Sequence, residues 1–161
     1  MAYEIIEKHL DEKAVIFMRK RIRPQEIAAA LGELFPAVHQ FSVRNGIVMA
    51  GPPFCRYREL GAEGMTLEAG MPISAPAEGE GDVLAGALPA GRVASTIHAG
   101  PYDDLPQAHA AIEAWLEEHE LSGGDAWEVY LTDPGLVEDP ADWRTEVLRP
   151  IETAPDGSSE P

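Results

Sequence analysis

The residues best suited to chemistry gather in one stretch, Trp127-Glu128-Val129-Tyr130-Leu131-Thr132-Asp133-Pro134. In an extended strand, side chains two apart share a face. Glu128 and Tyr130 then stand together, while Trp127, Val129 and Leu131 point the other way. A carboxylate beside a phenol ring suits a lipophilic cation: the charge supplies Coulomb attraction and the ring a cation–π face. The same pattern also describes an ordinary half-exposed sheet face. Upstream, Ile97-His98-Ala99-Gly100-Pro101-Tyr102 reads as a strand closed by a tight Gly-Pro-Tyr turn into a helix. Tyr102 there either caps a groove or packs under the helix start.

Other chemistries have thinner support. His109 and Glu113 lie one helical turn apart, but a third ligand is missing from the pattern, so no metal is expected. His98 sits on a strand, where a lone histidine is usually a hydrogen-bonded structural residue. Cys55, the single cysteine, has no adjacent histidine to activate it and cannot form an internal disulfide. No glycine-rich phosphate loop or nucleophile elbow occurs, and no cofactor is expected. The basic run Arg19-Lys20-Arg21-Ile22-Arg23 reads as a solvated strand end, or as a contact for an anionic partner surface.

The elements that must position these residues recur twice. An offset of 82 places Pro24-Gln25 over Pro106-Gln107 and Pro52 over Pro134. It also places the strand-like Ala14 to Met18 over Thr96 to Gly100, and Gly46 to Pro52 over Glu128 to Pro134. An offset of 78 places Leu67 to Ile73 over Thr145 to Ile151. The order strand–helix–strand–strand therefore repeats, over about 3–77 and about 83–152.

In the second helix Leu105, Ala108, Ile112, Trp115 and Leu116 form an apolar stripe. Asp103 or Asp104 is placed to cap its start, Pro106 suits the first turn, and Gly123-Gly124 is placed to end it. In the first helix Ile27, Leu31, Leu34 and Phe35 form the stripe, and Pro36 is expected to kink or end it. Glu78 to Asp82 reads as a turn or linker, and 153–161 as a disordered tail. Two such units imply an α+β fold: a curved antiparallel sheet, two helices on one face and a ligand groove on the other. On that scheme Trp127, Val129 and Leu131 pack toward the helix, and Glu128 and Tyr130 enter the groove.

Charge bounds the function. The chain has 161 residues and a formal net charge of −16. Residues 1–60 hold nine basic and seven acidic side chains, whereas 61–161 hold three and twenty-one. So acidic a domain repels a phosphate backbone, which argues against direct nucleic-acid binding. No apolar run of about 18 residues marks a membrane span, and the N-terminus lacks a signal-peptide core, so a cytosolic location without membrane contact is expected.

Gly100-Pro101-Tyr102, then a helix, then Trp127 to Pro134, then Arg144-Thr145-Glu146-Val147 leading to Pro150-Ile151, resembles the GyrI-like small-molecule-binding domain. That domain is also the effector-binding domain of AraC-type and MerR-type multidrug regulators. The resemblance covers about residues 3–152. It implies a groove that binds bulky, often cationic aromatic compounds, with Glu128 as its charged residue and Tyr130 as the aromatic neighbour. Tyr102 and Trp127 are further candidates for the lining. No room for a helix-turn-helix precedes residue 3, so a stand-alone member is expected. Some stand-alone members resemble hydrolases of reactive cyclopropane compounds. In such an enzyme Glu128 would serve as general base and Tyr130 would hydrogen-bond the leaving group. The family's other name, gyrase inhibitor, implies a protein partner instead.

Overall fold

A computed structural model describes residues 3–61, 64–133 and 136–152. Pro134 and the tail at 153–161 lie outside the described residues. In chain order the elements are β1 (Ile6–Leu10), β2 (Lys13–Ile22), α1 (Ile27–Arg44), β3 (Phe54–Gly61), β4 (Gly64–Pro72), β5 (Leu84–Leu88), β6 (Gly91–Ala99), α2 (Leu105–Glu118), β7 (Ser122–Gly123), β8 (Trp127–Tyr130) and β9 (Arg144–Glu152). Single helical turns at Pro24–Glu26 and Tyr102–Asp104 lead into α1 and α2. The fold is α+β, and the strand pairs described below are antiparallel.

The chain divides into two compact units: a middle unit, 11–90, and a terminal unit, 1–10 with 91–161. In the middle unit the strand order is β3-β4-β2-β5, with α1 packed on β2 and β4. In the terminal unit it is β1-β6-β9-β8, with β7 added to β9 and α2 packed on β6 and β9.

The two units repeat one pairing scheme. Val15 pairs with Pro72 and Phe17 with Gly70; Val93 pairs with Pro150 and Ser95 with Leu148. Both strands of the central pair, β2 with β4 and β6 with β9, therefore match at the offset of 78, rather than the first matching at 82. Phe54 opposite Gly70 and Trp127 opposite Leu148 match Phe54-Cys55-Arg56-Tyr57 to Trp127-Glu128-Val129-Tyr130. Cys55 is thus the counterpart of Glu128. Glycine is needed at position 70 because a Cβ there would overlap the Ile16 carbonyl and the Phe17 backbone.

Local expectations change at three places. The strand expected at Gly46 to Pro52 is not formed; β3 begins at Phe54. Gly46 takes a left-handed φ of 64°, and Pro52-Pro53 offers no backbone donors, so only an isolated bridge from Met49 to Ile73 survives. Helix α1 runs through Pro36 to Arg44. Pro36 and Gly32, whose carbonyl it would have bonded, are both exposed, so water can serve that carbonyl. Helix α2 ends at Glu118, with Glu120 rather than a glycine at positive φ, and its start has no side-chain cap bond.

Burial holds each helix down. On α1, Val38 and Phe41 pack with Ile16, Met71, Ile73 and Val83. On α2, Leu105, Ala108, Ile112 and Leu116 pack with Ala94, Val147 and Ile151. Each of these buried side chains larger than alanine contributes about 1.5–3 kcal/mol of transfer free energy.

Candidate functional site

β8 is four residues long, and its register decides what each side chain meets. Glu128 pairs with Val147 and Tyr130 with Thr145; Trp127 pairs with Leu148 and Val129 with Glu146. Paired residues share a face of the sheet, and Val147 belongs to the core under α2. Glu128 and Tyr130 therefore face α2, and Trp127 faces away from it. This reverses the expected orientation. Trp127 is a large apolar side chain and is buried to 2% exposure on the helix-free face, where Leu148 is its cross-strand neighbour.

Glu128 is 3% exposed and its carboxylate is held at both oxygens. The Tyr130 hydroxyl donates to Oε1 at 2.6 Å. His109 Nε2, from the second turn of α2, lies 2.7 Å from Oε2. Buried carboxylates persist where such donors replace water. The histidine singled out with Glu113 as a weak metal pair is thus spent on Glu128, and Glu113 pairs instead with Arg149 at 2.7 Å. Among the described residues no group of three or more His, Cys, Asp or Glu is placed to hold a metal.

Aromatic rings adjoin this carboxylate. Tyr102, in the turn before α2, meets Tyr130 edge-on with centroids 5.5 Å apart. On its other side Tyr102 stacks with Trp143 at 4.9 Å. Trp143 was not singled out in the sequence, because it lies in a polar loop between β8 and β9. The loop fixes it: its indole N–H donates to the Val137 carbonyl at 2.8 Å, and its own carbonyl accepts from Gly100 N–H at 2.9 Å. Burial raises the Tyr102 phenol above its usual pKa, and the negative charges of Asp133 and Glu128 raise it further. The phenol therefore stays protonated across the physiological range.

Thr145 is fully buried on the same face, opposite Tyr130, and its Oγ1 has no hydrogen-bond partner among the described residues. His98, also on this face, is buried and spoken for. It lies 2.9 Å from the Tyr3 hydroxyl and 2.9 Å from the Pro101 carbonyl, a structural clamp on the turn that carries Tyr102. Cys55 is fully buried in the middle unit. In the basic run, Arg19 bonds Glu68, Lys20 bonds Glu33 and Arg21 bonds Thr66.

Each unit packs one helix on an antiparallel sheet, and the terminal unit buries a carboxylate beside aromatic rings. The chain belongs to the GyrI-like small molecule binding domain family, whose profile matches residues 1–152. No match was found among curated proteins. Among solved structures, the C-terminal domain of EcmrR is 23% identical, with 96% of this chain and 100% of that one covered and a TM-score of 0.82. EcmrR in complex with DNA gives 24% identity, 96% coverage of this chain and a TM-score of 0.80. The present chain spans 59% of that longer protein. SAV2435 bound to tetraphenylphosphonium is 12% identical, covered at 94% of both chains, with a TM-score of 0.64. A hydrolase from Listeria innocua is 13% identical over 94% of this chain and 93% of that one, with a TM-score of 0.63. At these identities the structures share the fold. No helix among the described residues is long and apolar enough to cross a membrane.

Proposed function

We propose that this domain captures hydrophobic, cationic small molecules at Glu128. The observation that carries the reading is a carboxylate at 3% exposure beside the rings of Tyr130, Tyr102 and, behind Tyr102, Trp143. Removed from water, such a charge attracts a cation more strongly than a surface carboxylate does, and the rings add cation–π attraction and apolar contact. The relative SAV2435, seen with tetraphenylphosphonium, supports a cation as the class of ligand.

The alternative, hydrolysis with Glu128 as general base, has less support. A general base must offer an oxygen to water, and the contacts described at Glu128 are with Tyr130 and His109.

The test is a binding titration with tetraphenylphosphonium and with neutral triphenylphosphine oxide, on the wild type and on Glu128→Gln. The substitution should weaken the cation at least tenfold and the neutral compound little. Equal losses for both would remove Glu128 as the recognising charge. Recovery of a hydrolysed product from a reactive ligand would favour the enzyme instead.

A further inference from the structure

The middle unit has a hollow of its own, on the face of its sheet turned away from α1. Ile16 packs against α1, so its strand neighbours Val15, Phe17 and Arg19 take the other face. Register lays two rows across that face. Phe17 pairs with Gly70 and Gly70 with Phe54; Arg19 pairs with Glu68 and Glu68 with Arg56. An apolar row therefore lies beside a charged one. Gly70 puts no side chain between the two rings. On β5, Gly86 leaves space where a Cβ would come within 3.1 Å of the Phe17 ring. The result is a cavity of about 210 Å³, lined on its apolar side by Phe17, Phe54 and Leu88 and on its polar side by Arg56, Arg58 and Glu68.

The polar side favours one sign of charge. Glu68 is 3% exposed, and its Oε2 accepts from Arg19 Nε at 3.0 Å. Guanidinium nitrogens of Arg19 and Arg58 lie 2.9 Å and 3.7 Å from the same oxygen. Guanidinium stays charged throughout the range a protein visits, so the cavity is bordered by two fixed cations and one carboxylate already engaged by arginine. An entering cation meets like charge. An entering carboxylate meets planar donor forks that match its own geometry. Each arginine presents five N–H donors, so it can take a new acceptor beside the contacts it already makes. Size sets a second limit. An apolar cavity of about 150 Å³ holds benzene, so this one admits a single ring with a small substituent.

We propose that this cavity is a second binding site, for a small aromatic carboxylate, with the ring against Phe17 and Phe54 and the carboxylate on Arg56 and Arg58. It lies in the other unit from Glu128 and selects the opposite charge, and its test does not depend on the role of Glu128.

The probes are benzoate, benzamide and benzamidine, which share a ring and at neutral pH differ in charge. Amide NMR titrations of the whole chain read affinity and place together. Benzoate should shift the amides of Phe17, Phe54 and 86–88. It should bind at least about tenfold more tightly than benzamide, as one hydrogen bond to a charged group implies. Benzamidine should bind most weakly of the three. Arg58→Gln should weaken benzoate by about the same factor and leave benzamide unchanged, and Arg58→Lys, which keeps the charge without the fork, should recover part of the loss. Arg56→Gln serves as the second variant, and the wild-type comparison of the three probes stands whether or not either variant folds. Equal affinity for benzoate and benzamide overturns the proposal. Preference for benzamidine overturns it too and makes Glu68 the recognising group. Benzoate shifts confined to Lys20, Arg21 and Arg23, or none at 86–88, would leave only a surface contact and overturn the site.

Discussion

Tyr130 and Glu128, two residues apart on β8, are joined by a 2.6 Å hydrogen bond from the phenol to carboxylate Oε1, and both side chains are buried. The bond satisfies one oxygen of the carboxylate and the phenol together. Tyr130→Phe leaves a buried carboxylate short of a donor and should destabilise the fold by roughly 1–3 kcal/mol. In Tyr130→Phe combined with Glu128→Gln, the total cost should fall below the sum of the single costs, because one interaction is lost in both. Urea unfolding of the four proteins measures this. Strict additivity would mean that the two groups are not coupled.

That bond also shows how far the sequence can be read. Glu128 and Tyr130 share a strand face because extended chain alternates, and this holds whatever surrounds them. Which face is another matter. Trp127, Val129 and Leu131 look like the core-facing set, yet Leu131 is 46% exposed and Trp127 packs away from α2. The register of β8 on β9 decided it, and register is a tertiary property that four residues of alternation do not carry. Helix α2 was legible from its apolar stripe, whereas α1 buries Ala30, Leu34, Val38 and Phe41, of which the expected stripe held only Leu34. His109 was visible only as half of a metal pair, since its partner sits nineteen residues away on another element. Trp143 belongs to a loop, where no periodicity exists to be read. The duplication was legible as an order of elements. Its register was misread for β2 and β3 because matched prolines mark turns, and turns differ in length between the units.

Thr145 offers a test of whether the face around Tyr130 is complete without a ligand. Its buried Oγ1 has no partner among the described residues, which costs desolvation energy. Thr145→Val keeps the shape and removes the orphan, so stability in the ligand-free protein should rise by about 1 kcal/mol. If the hydroxyl instead serves a bound molecule, the same variant should also bind tetraphenylphosphonium more weakly. Thermal unfolding and the binding titration give the two readings separately. A loss of stability would show that the hydroxyl is already satisfied.

Tyr102 gives the alkaline side of the stability profile its shape. Burial, then Asp133 and Glu128, raise its phenol pKa above the usual value of 10.0. The fold therefore prefers the protonated phenol. Stability from this group is whole below about pH 10 and is lost as pH rises through the higher folded value. Tyr102→Phe should flatten that alkaline decline while costing little at pH 7. Tyr3, also raised, by burial and Asp104, leaves a residual slope. Denaturant midpoints from pH 8 to 11 check this, and an unchanged slope in Tyr102→Phe would assign the decline elsewhere.

Cys55 reports on the middle unit without any mutation. It is fully buried on β3, paired with Ala69 of β4, and it takes the position that Glu128 takes in the terminal unit. A thiol attacks only as an exposed thiolate, so a disulfide reagent reaches Cys55 only when β3 and β4 part. For a domain of ordinary stability the native labelling rate should be at least about 10³-fold below that of the unfolded chain. The rate should rise with urea as the middle unit opens. Adding tetraphenylphosphonium is then informative in a second way. If labelling slows in proportion to binding, opening of the middle unit and occupancy of Glu128 share one equilibrium. If labelling is unchanged while the ligand stabilises α2 against hydrogen exchange, the units open independently. Immediate stoichiometric labelling of the native protein would contradict the burial of Cys55 outright.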